Sequence, residues 1–358
     1  MAAPDPLPMA RLRAEPWYVD RVTFDAARVR VEGWSMPVDT RVPDEGWFTI
    51  NGRRFDRIAY PLRRDDVGAV FWQRRDAADC GFIAEIDDLT EPYPDGMLEI
   101  RRVREDTPRA ERGRDAWFLP DPERHADLPD EDRRFRVIGD RDARGFLVSG
   151  ATDYRRLDAA LVEITGRALH AHAKVLDWGV GCGRVARHFR REHADALTGC
   201  DIDRDNVAWC RTHLSGTFVA TSLQPPLPFA DDTFDLVYGI SVFTHLREPM
   251  QWRWLDELSR VTKRGAVLLM TTHGQTAIDF SRLAPDAYRA TCARVAREGF
   301  VESGANTQLD GHAEHGGEYV NVYHSDEYVR RTWGRWFDVL AILPGYILHH
   351  DLVVMHKR

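Results

Sequence analysis

The 358-residue sequence predicts an α/β protein, with a doubly wound, mostly parallel, seven-stranded sheet preceded by a small all-β sandwich domain. From residue 136 onward, apolar strand-like runs alternate with helical patterns, which is typical of a parallel sheet covered by helices. Between residues 16 and 105, short runs alternate apolar with polar side chains and end in Gly, Pro or Asn-Gly turns, which is typical of antiparallel strands.

These sequence patterns predict the domain organisation. Residues 1–15 carry three prolines and form a disordered lead, because proline blocks regular structure. The sandwich domain occupies residues 16–105, and a charged, proline-bearing linker follows at 106–135. The α/β domain covers residues 136–358 and contains a long insertion at 274–324, a length that usually carries specificity or forms a lid.

The first domain is predicted from runs such as Val29–Trp34 and Gly46–Gly52. Several short strands at this spacing favour a β-sandwich. In its turns and tryptophan placement the region also resembles the immunoglobulin-like modules attached to bacterial glycan-building and glycan-modifying enzymes. That resemblance implies a contact with a glycan or a protein partner through this domain, and a homodimer contact is the other partner prediction.

The stretch Lys174–Arg184 organises the second domain: a short apolar run breaks into alternating glycines and then into a helical pattern. Such a strand, turn and helix needs glycine for its backbone conformation and for the close approach of a ligand to the main chain. A second strand ends at Asp201, about 20 residues after the turn, where nucleotide-binding α/β folds place a carboxylate that accepts hydrogen bonds from ribose hydroxyls.

Together with Asp177 before the turn, these features resemble motif I and the following acidic strand end of class I S-adenosylmethionine (SAM) dependent methyltransferases. Residues 225–238, a proline-rich turn and acidic loop before the fourth strand, resemble the same family, although Trp178 and Val180 depart from its usual turn. The resemblance implies a Rossmann-like fold whose last strand is antiparallel, SAM as cofactor and S-adenosylhomocysteine (SAH) as product. The cofactor-binding residues that it implies are Asp177, Gly179, Gly181, Gly183, Asp201, Ile202, Ser222, Leu223, Gly239, Ile240 and Ser241.

Two histidines are the predicted catalytic residues. His245 lies just after strand four in a segment, Ser241–Leu246, that resembles an element of bacterial small-molecule and glycan methyltransferases with a histidine at the methyl end of the cofactor. A histidine titrates near neutrality and suits general-base catalysis. Bracing of the loop is the equally weighted alternative for His245. His273, at the end of strand five, is the second candidate.

No metal site is predicted. His349 and His350 precede the final strand and would join His273 on the same rim, but their spacing matches no known ligand pattern and no carboxylate pair accompanies them.

The composition excludes several function classes. A formal net charge of -8 argues against nucleic-acid binding, which needs an excess of lysine and arginine. The five cysteines lack paired spacing, and no signal peptide or membrane-spanning apolar run is visible, so the expected location is the cytoplasm. The predicted function is O-methylation of a sugar, a glycan or another small hydroxylated metabolite. N- or C-methylation of a natural product and a catalytically silent SAM-binding protein remain the alternatives.

Overall fold

The computed structural model describes residues 16–36, 47–104, 107–125, 127–189, 191–306 and 319–358. The predicted disordered lead at 1–15 and the glycine-rich part of the predicted insertion, residues 307–318, lie outside these ranges.

Two four-stranded antiparallel sheets form the first part of the chain. The first sheet has the order β1-β2-β6-β5 and the second the order β4-β3-β7-β8. The elements are β1 Trp17–Asp25, β2 Arg28–Ser35, β3 Phe48–Ile50, β4 Arg53–Arg54, β5 Arg57–Arg63, helix α1 Asp65–Val70, β6 Asp79–Ile86, β7 Met97–Arg102 and β8 Ala116–Pro120.

The two sheets enclose one hydrophobic core. Along β2, alternate residues are buried, as the period of two in the sequence requires. Phe48 of one sheet stacks on Phe82 of the other, with ring centroids 4.4 Å apart, and Trp17 lies 5.6 Å from Phe48. Two antiparallel sheets around a shared core therefore begin where the sequence predicted them, but they extend beyond the predicted boundary at residue 105.

The described residues of the segment predicted as a linker, 107–125 and 127–135, include a strand and a helix. Its apolar run Ala116–Pro120 is β8, which pairs with β7 and is buried at every position. Helix α2, Glu131–Ile138, begins after the N-cap Asp130. The sequence analysis did not predict this strand, because charged residues flank it and its burial depends on contacts with residues far away in the sequence.

The second part of the chain contains a seven-stranded sheet with the order β11-β10-β9-β12-β13-β17-β16. All strands run parallel except β17, which is antiparallel to both neighbours, as the prediction required. Its elements are α3 Ala143–Thr165, β9 Val175–Trp178, β10 Leu197–Asp201, α4 Arg204–His213, β11 Thr217–Ala220, β12 Phe234–Gly239, α5 Glu248–Val261, β13 Thr262–Thr272, α6 Gln275–Phe280, α7 Pro285–Glu298, β14 Phe300–Ala305, β15 Val320–His324, α8 Asp326–Trp333, β16 Phe337–Ile347 and β17 His350–Lys357.

Helix α3 begins earlier than its helical period suggests. Asp142 caps it by accepting a hydrogen bond from the Gly145 amide. Gly150 disfavours a helix interior, yet a Cβ there would lie 2.2 Å from the Arg184 carbonyl oxygen. Glycine at this position therefore lets α3 approach the loop after β9 closely.

The two parts of the chain are joined by buried polar contacts. Arg156 of α3 is buried and donates hydrogen bonds to the carbonyls of Arg114, Ala116 and Tyr346, at 2.8, 3.2 and 3.2 Å. At the other end of the interface, the Trp72 indole donates to the Leu283 carbonyl at 3.2 Å. These contacts join the first two sheets to the part of the chain that contains the seven-stranded sheet.

Within the described ranges, no helix combines the length and the apolar character that a membrane span requires. All five cysteines are free thiols, and four of them are buried.

Candidate functional site

A cleft opens at the carboxyl ends of β9, β10, β11 and β12, the edge at which open parallel sheets bind ligands. Its volume is about 160 Å³. Of the predicted site residues, those lining the cleft are Asp177, Gly179, Gly181, Asp201, Ile202, Ser222, Leu223, Ile240, Ser241 and His245.

The glycine turn after β9 has the backbone that only glycine adopts readily. Gly179 and Gly181 have φ angles of +86° and +54°, and a Cβ at Gly179 would lie 2.5 Å from the Val242 side chain. These two glycines border the cleft.

Gly183, predicted as a third cofactor-binding glycine, does not line the cleft. A Cβ there would lie 2.1 Å from Leu214 and 3.2 Å from the sulfur of Cys210, so this glycine packs the turn against α4.

Asp201 holds the turn in place. Its Oδ2 accepts a hydrogen bond from the Gly181 amide at 2.7 Å, and its Oδ1 accepts one from the Asp203 amide at 2.8 Å. Burial raises the pKa of Asp201 to about 6, against the opposing effect of these hydrogen bonds. Each carboxylate oxygen has a second lone-pair site, so the residue that braces the loop can also accept a hydroxyl from a ligand.

A second carboxyl group lies under the cleft. The Tyr238 hydroxyl donates to Asp177 Oδ2 at 2.7 Å. Burial, with a smaller effect from Asp201, raises the pKa of Asp177 to about 7, while the Tyr238 hydrogen bond and Arg184 act in the opposite direction. The protonated form of Asp177 is therefore substantially populated at neutral pH.

Gly239 and Ser241 occupy different positions around the end of β12. Gly239 is covered, since a Cβ there would lie 2.9 Å from the sulfur of Met270 and 3.0 Å from Trp178, and it does not line the cleft. Ser241 has a positive φ of 61°, and its amide donates to the Thr271 hydroxyl at 2.8 Å. This conformation directs the chain from β12 back across the cleft.

The sequence reasoning missed the wall that α2 supplies. Arg136 of α2 donates to Asp203 at 2.8 Å, with both side chains buried, and Asp203 also caps α4. Val137 and Asn206 line the cleft beside this pair. The N-cap Asp130 and the helical spacing after it were the available signals for α2.

His245 is buried at the mouth of the cleft. Its Nδ1 lies 3.3 Å from the Val320 carbonyl oxygen, which can only accept, and 3.3 Å from the Asn306 side-chain amide nitrogen, while its Nε2 lies 3.2 Å from the Ser241 hydroxyl. In the tautomer with the proton on Nδ1, Nδ1 donates to Val320 and Nε2 accepts from Ser241. Burial lowers the pKa of His245 to about 4, below the near-neutral titration expected from the sequence. The ring is therefore neutral at physiological pH, and in this tautomer the lone pair of Nε2 is on the Ser241 side.

A larger cavity of about 550 Å³ lies between the first two sheets and the seven-stranded sheet. Trp17, Trp34 and Trp117 line it from one side and His273 from the other. The residues shared with the cleft are Val137, Arg184, Ile240, Ser241 and His245. His273 thus borders this second cavity and not the cleft, and its ring centroid is 5.9 Å from that of His245.

This strand order, with a glycine turn after the first strand, an acidic residue ending the second and one antiparallel strand, agrees with a family comparison. Residues 175–265 match the family model described as a methyltransferase domain. Over these residues the chain is similar to methyltransferase domains. The family model covers the glycine turn, Asp201 and His245 within its bounds.

The methyltransferase domain has relatives among known proteins. Over 100 residues, the chain is 35% identical to an uncharacterized methyltransferase of Mycolicibacterium vanbaalenii; the match covers 27% of this chain and 38% of that protein's length. A SAM-dependent methyltransferase from Mesorhizobium loti has 16% identity and a TM-score of 0.37, covering 51% of this chain and 90% of that chain. A magnesium protoporphyrin IX methyltransferase from Synechocystis, solved with bound SAH, has 15% identity and a TM-score of 0.41, covering 63% and 94%.

The side chains of the cleft fit SAM. A glycine cradle leaves no room for a Cβ at Gly179, a carboxylate at Asp201 offers acceptor sites for hydroxyls, and Ile202 with Leu223 supplies apolar wall for a flat ring.

Proposed function

We propose that the protein transfers the methyl group of SAM to a hydroxyl of a sugar, a glycan or another small hydroxylated metabolite. The observation that carries this proposal is that two cavities of different character share a wall that includes His245. The cleft has the glycine turn and carboxylate of a SAM site, whereas the larger cavity has the aromatic walls and charged groups that suit a polar acceptor.

In this proposal the chain binds the cofactor through Asp201, the glycine turn and the apolar wall. SAM, when bound, supplies a methyl group already activated on a sulfonium, so the protein needs to align the acceptor and accept its proton. Nε2 of His245 is the proposed proton acceptor, because Nδ1–H is engaged with Val320. The Ser241 hydroxyl lies 3.2 Å from the same nitrogen and 3.3 Å from the Thr244 hydroxyl, and we propose that it turns to Thr244 when the acceptor binds, which frees the lone pair of Nε2.

The N-terminal sheets are proposed to contribute to acceptor binding. Trp17, Trp34 and Trp117 form an aromatic wall of the kind on which sugar rings pack, and the ion pair of Asp153 with Arg184 lines the same cavity. In this arrangement, the domain that resembles immunoglobulin-like modules would form one wall of the acceptor site. Binding to a separate glycan or protein partner is not needed for it.

Replacement of His245 tests the proposed base. We expect His245→Ala to bind SAM as the wild type does while turnover falls by about 10² to 10⁴-fold, because the residue is placed to act on the acceptor proton. The assay measures SAH formation with a panel of sugars, sugar nucleotides and small alcohols, and calorimetry measures SAM binding.

The control for this experiment is Ser241→Ala, which keeps the imidazole and removes only the hydroxyl beside Nε2, so its rate loss should be smaller. Weakened SAM binding in His245→Ala would support the loop-bracing role. Normal turnover in that variant on an active acceptor would exclude His245 as the base and favour an amine or carbon acceptor, which is the alternative reaction class.

A further inference from the structure

Three histidines converge on the wall of the larger cavity. His273 follows β13, while His349 and His350 lie at the turn between β16 and β17. Because β13 and β17 are antiparallel and Thr272 pairs with Asp351, the next residues along each strand, His273 and His350, face one another across the sheet edge. The ring centroids of His273 are 4.7 Å from His350 and 5.7 Å from His349.

The distances between the ring nitrogens suit a shared ion. One nitrogen from each of the three rings lies within 4.8 Å of the other two. Nitrogens bound to one zinc ion at about 2.0 to 2.1 Å in tetrahedral geometry are roughly 3.4 Å apart, so a small closure would complete the site. His349 is partly exposed, directly before β17 begins.

One of the rings has the hydrogen-bonding pattern of a metal ligand, and a second has a buried nitrogen without a partner among the described residues. Nδ1 of His273 lies 3.2 Å from the Val322 carbonyl, which fixes the proton on Nδ1 and leaves Nε2 with its lone pair. Metal-bound histidines commonly donate their other N–H to a backbone carbonyl in this way. Nδ1 of His350 is buried, and no hydrogen-bond partner for it is found among the described residues. An orphaned buried nitrogen of this kind calls for a ligand or an ion.

We propose that His273, His349 and His350 bind a divalent transition-metal ion of the zinc class on the wall of the acceptor cavity. Three imidazoles without a carboxylate favour zinc, cobalt, nickel or copper over magnesium or calcium, which prefer oxygen ligands. Three protein ligands also leave a coordination position open, as in catalytic zinc sites.

The role of this ion rests on the proposed function. The open position would take the hydroxyl oxygen of the acceptor and lower its pKa, because a divalent cation favours the alkoxide. The O–H proton then passes to Nε2 of His245, the new O–C bond forms as the C–S bond of SAM breaks, and the products are a methyl ether and SAH. The 5.9 Å between the ring centroids of His245 and His273 places both groups at one cavity.

Metal binding by the full chain, purified without a polyhistidine tag and stripped with a chelator, tests the proposal without SAM or acceptor. Zinc or cobalt is then added back and the unbound excess is removed, and we expect elemental analysis to find one equivalent. The thermal midpoint should rise when zinc is added, since an ion bound only to the folded state stabilises it. His349→Ala, at the partly exposed turn, should weaken binding at least about 100-fold, because one of three ligands is lost. His273→Gln is the second variant and should do the same.

His170→Ala is the matched control: His170 is exposed and stacks on His193 far from the cavity, so that variant should bind metal as the wild type does. Circular dichroism checks that each variant folds. Less than one-tenth of an equivalent in the wild type, or unchanged affinity in both ligand variants, would overturn the metal site. Since no methyl transfer is measured, that result would leave the proposed reaction standing, whereas metal binding by an enzyme without activity would challenge the proposed function alone.

Discussion

Asp177 shows how burial controls a single residue of the cofactor cleft. Its carboxyl group accepts from Tyr238 and faces Asp201 and Arg184, and burial raises its pKa from 3.8 to about 7. A raised pKa means that the folded state holds the proton more tightly than the unfolded chain does. The stabilising contribution of this group is therefore complete below about pH 4 and is lost as the pH rises through about 7.

Replacement of Asp177 by asparagine tests the direction of this pH dependence of stability. The amide keeps an acceptor for the Tyr238 hydroxyl but cannot ionise, so the stability of the variant relative to the wild type should rise in alkaline solution. Between about pH 5.5 and about pH 8.5 we expect the difference in unfolding free energy to move by about 2 kcal/mol in favour of Asp177→Asn. Urea unfolding at the two pH values measures it, with the exposed Asp286→Asn as control. Parallel pH profiles for wild type and variant would contradict the raised pKa.

At the scale of elements, Arg156 fastens α3 to both parts of the chain. Its guanidinium donates to three backbone carbonyls, those of Arg114, Ala116 and Tyr346. Arg156→Met preserves much of the side-chain volume but leaves three buried carbonyls without their donor. We expect a loss of about 3 kcal/mol in unfolding free energy.

Denaturant unfolding of Arg156→Met measures that loss, and Arg167→Met serves as control because Arg167 is exposed and its guanidinium donates to the nearby Ala171 carbonyl. A loss below about 1 kcal/mol in Arg156→Met, the range of an exposed substitution, would show that water or rearranged side chains satisfy the three carbonyls.

Strand β8 bears on whether the two parts of the chain separate. A fragment that starts at residue 136 would lack β8, which packs along α3, and would leave Arg156 without two of its acceptors. We therefore expect this fragment to melt at a lower temperature than the full chain and to bind SAM more weakly. Thermal unfolding and calorimetry of the two proteins measure this. Equal melting temperatures and equal affinities would show that the stability and SAM binding of the seven-stranded sheet do not depend on the N-terminal sheets.

At the scale of the whole molecule, the sequence was most informative where local chemistry determines structure. Three local features predicted the seven-stranded sheet and most of the cleft: the glycine turn, the acidic strand end at Asp201 and the alternation of strands and helices. They did so because positive φ angles and strand periods depend on neighbouring residues. Features set by distant packing were missed. Strand β8 was hidden among charged residues, and Gly183 and Gly239 were assigned to the cleft although they pack against other elements.

The second cavity shows the same limit. No local pattern links His273 to His349 and His350, and only the pairing of β13 with β17 brings them together. The shift in the pKa of His245 likewise depends on burial by residues from β15, which lies about 75 positions away in the sequence.

The measurement that tests the central claim most directly is calorimetric titration of the full chain with SAM. The glycine cradle and Asp201 predict one site with a dissociation constant in the micromolar range or lower, corresponding to about −8 kcal/mol. Folded Asp201→Ala should bind about 30 to 150-fold more weakly, because it loses an acceptor for ribose hydroxyls and the brace on the glycine turn. No detectable binding by the folded wild type, or equal affinity in the two proteins, would contradict the assignment of this cleft to SAM.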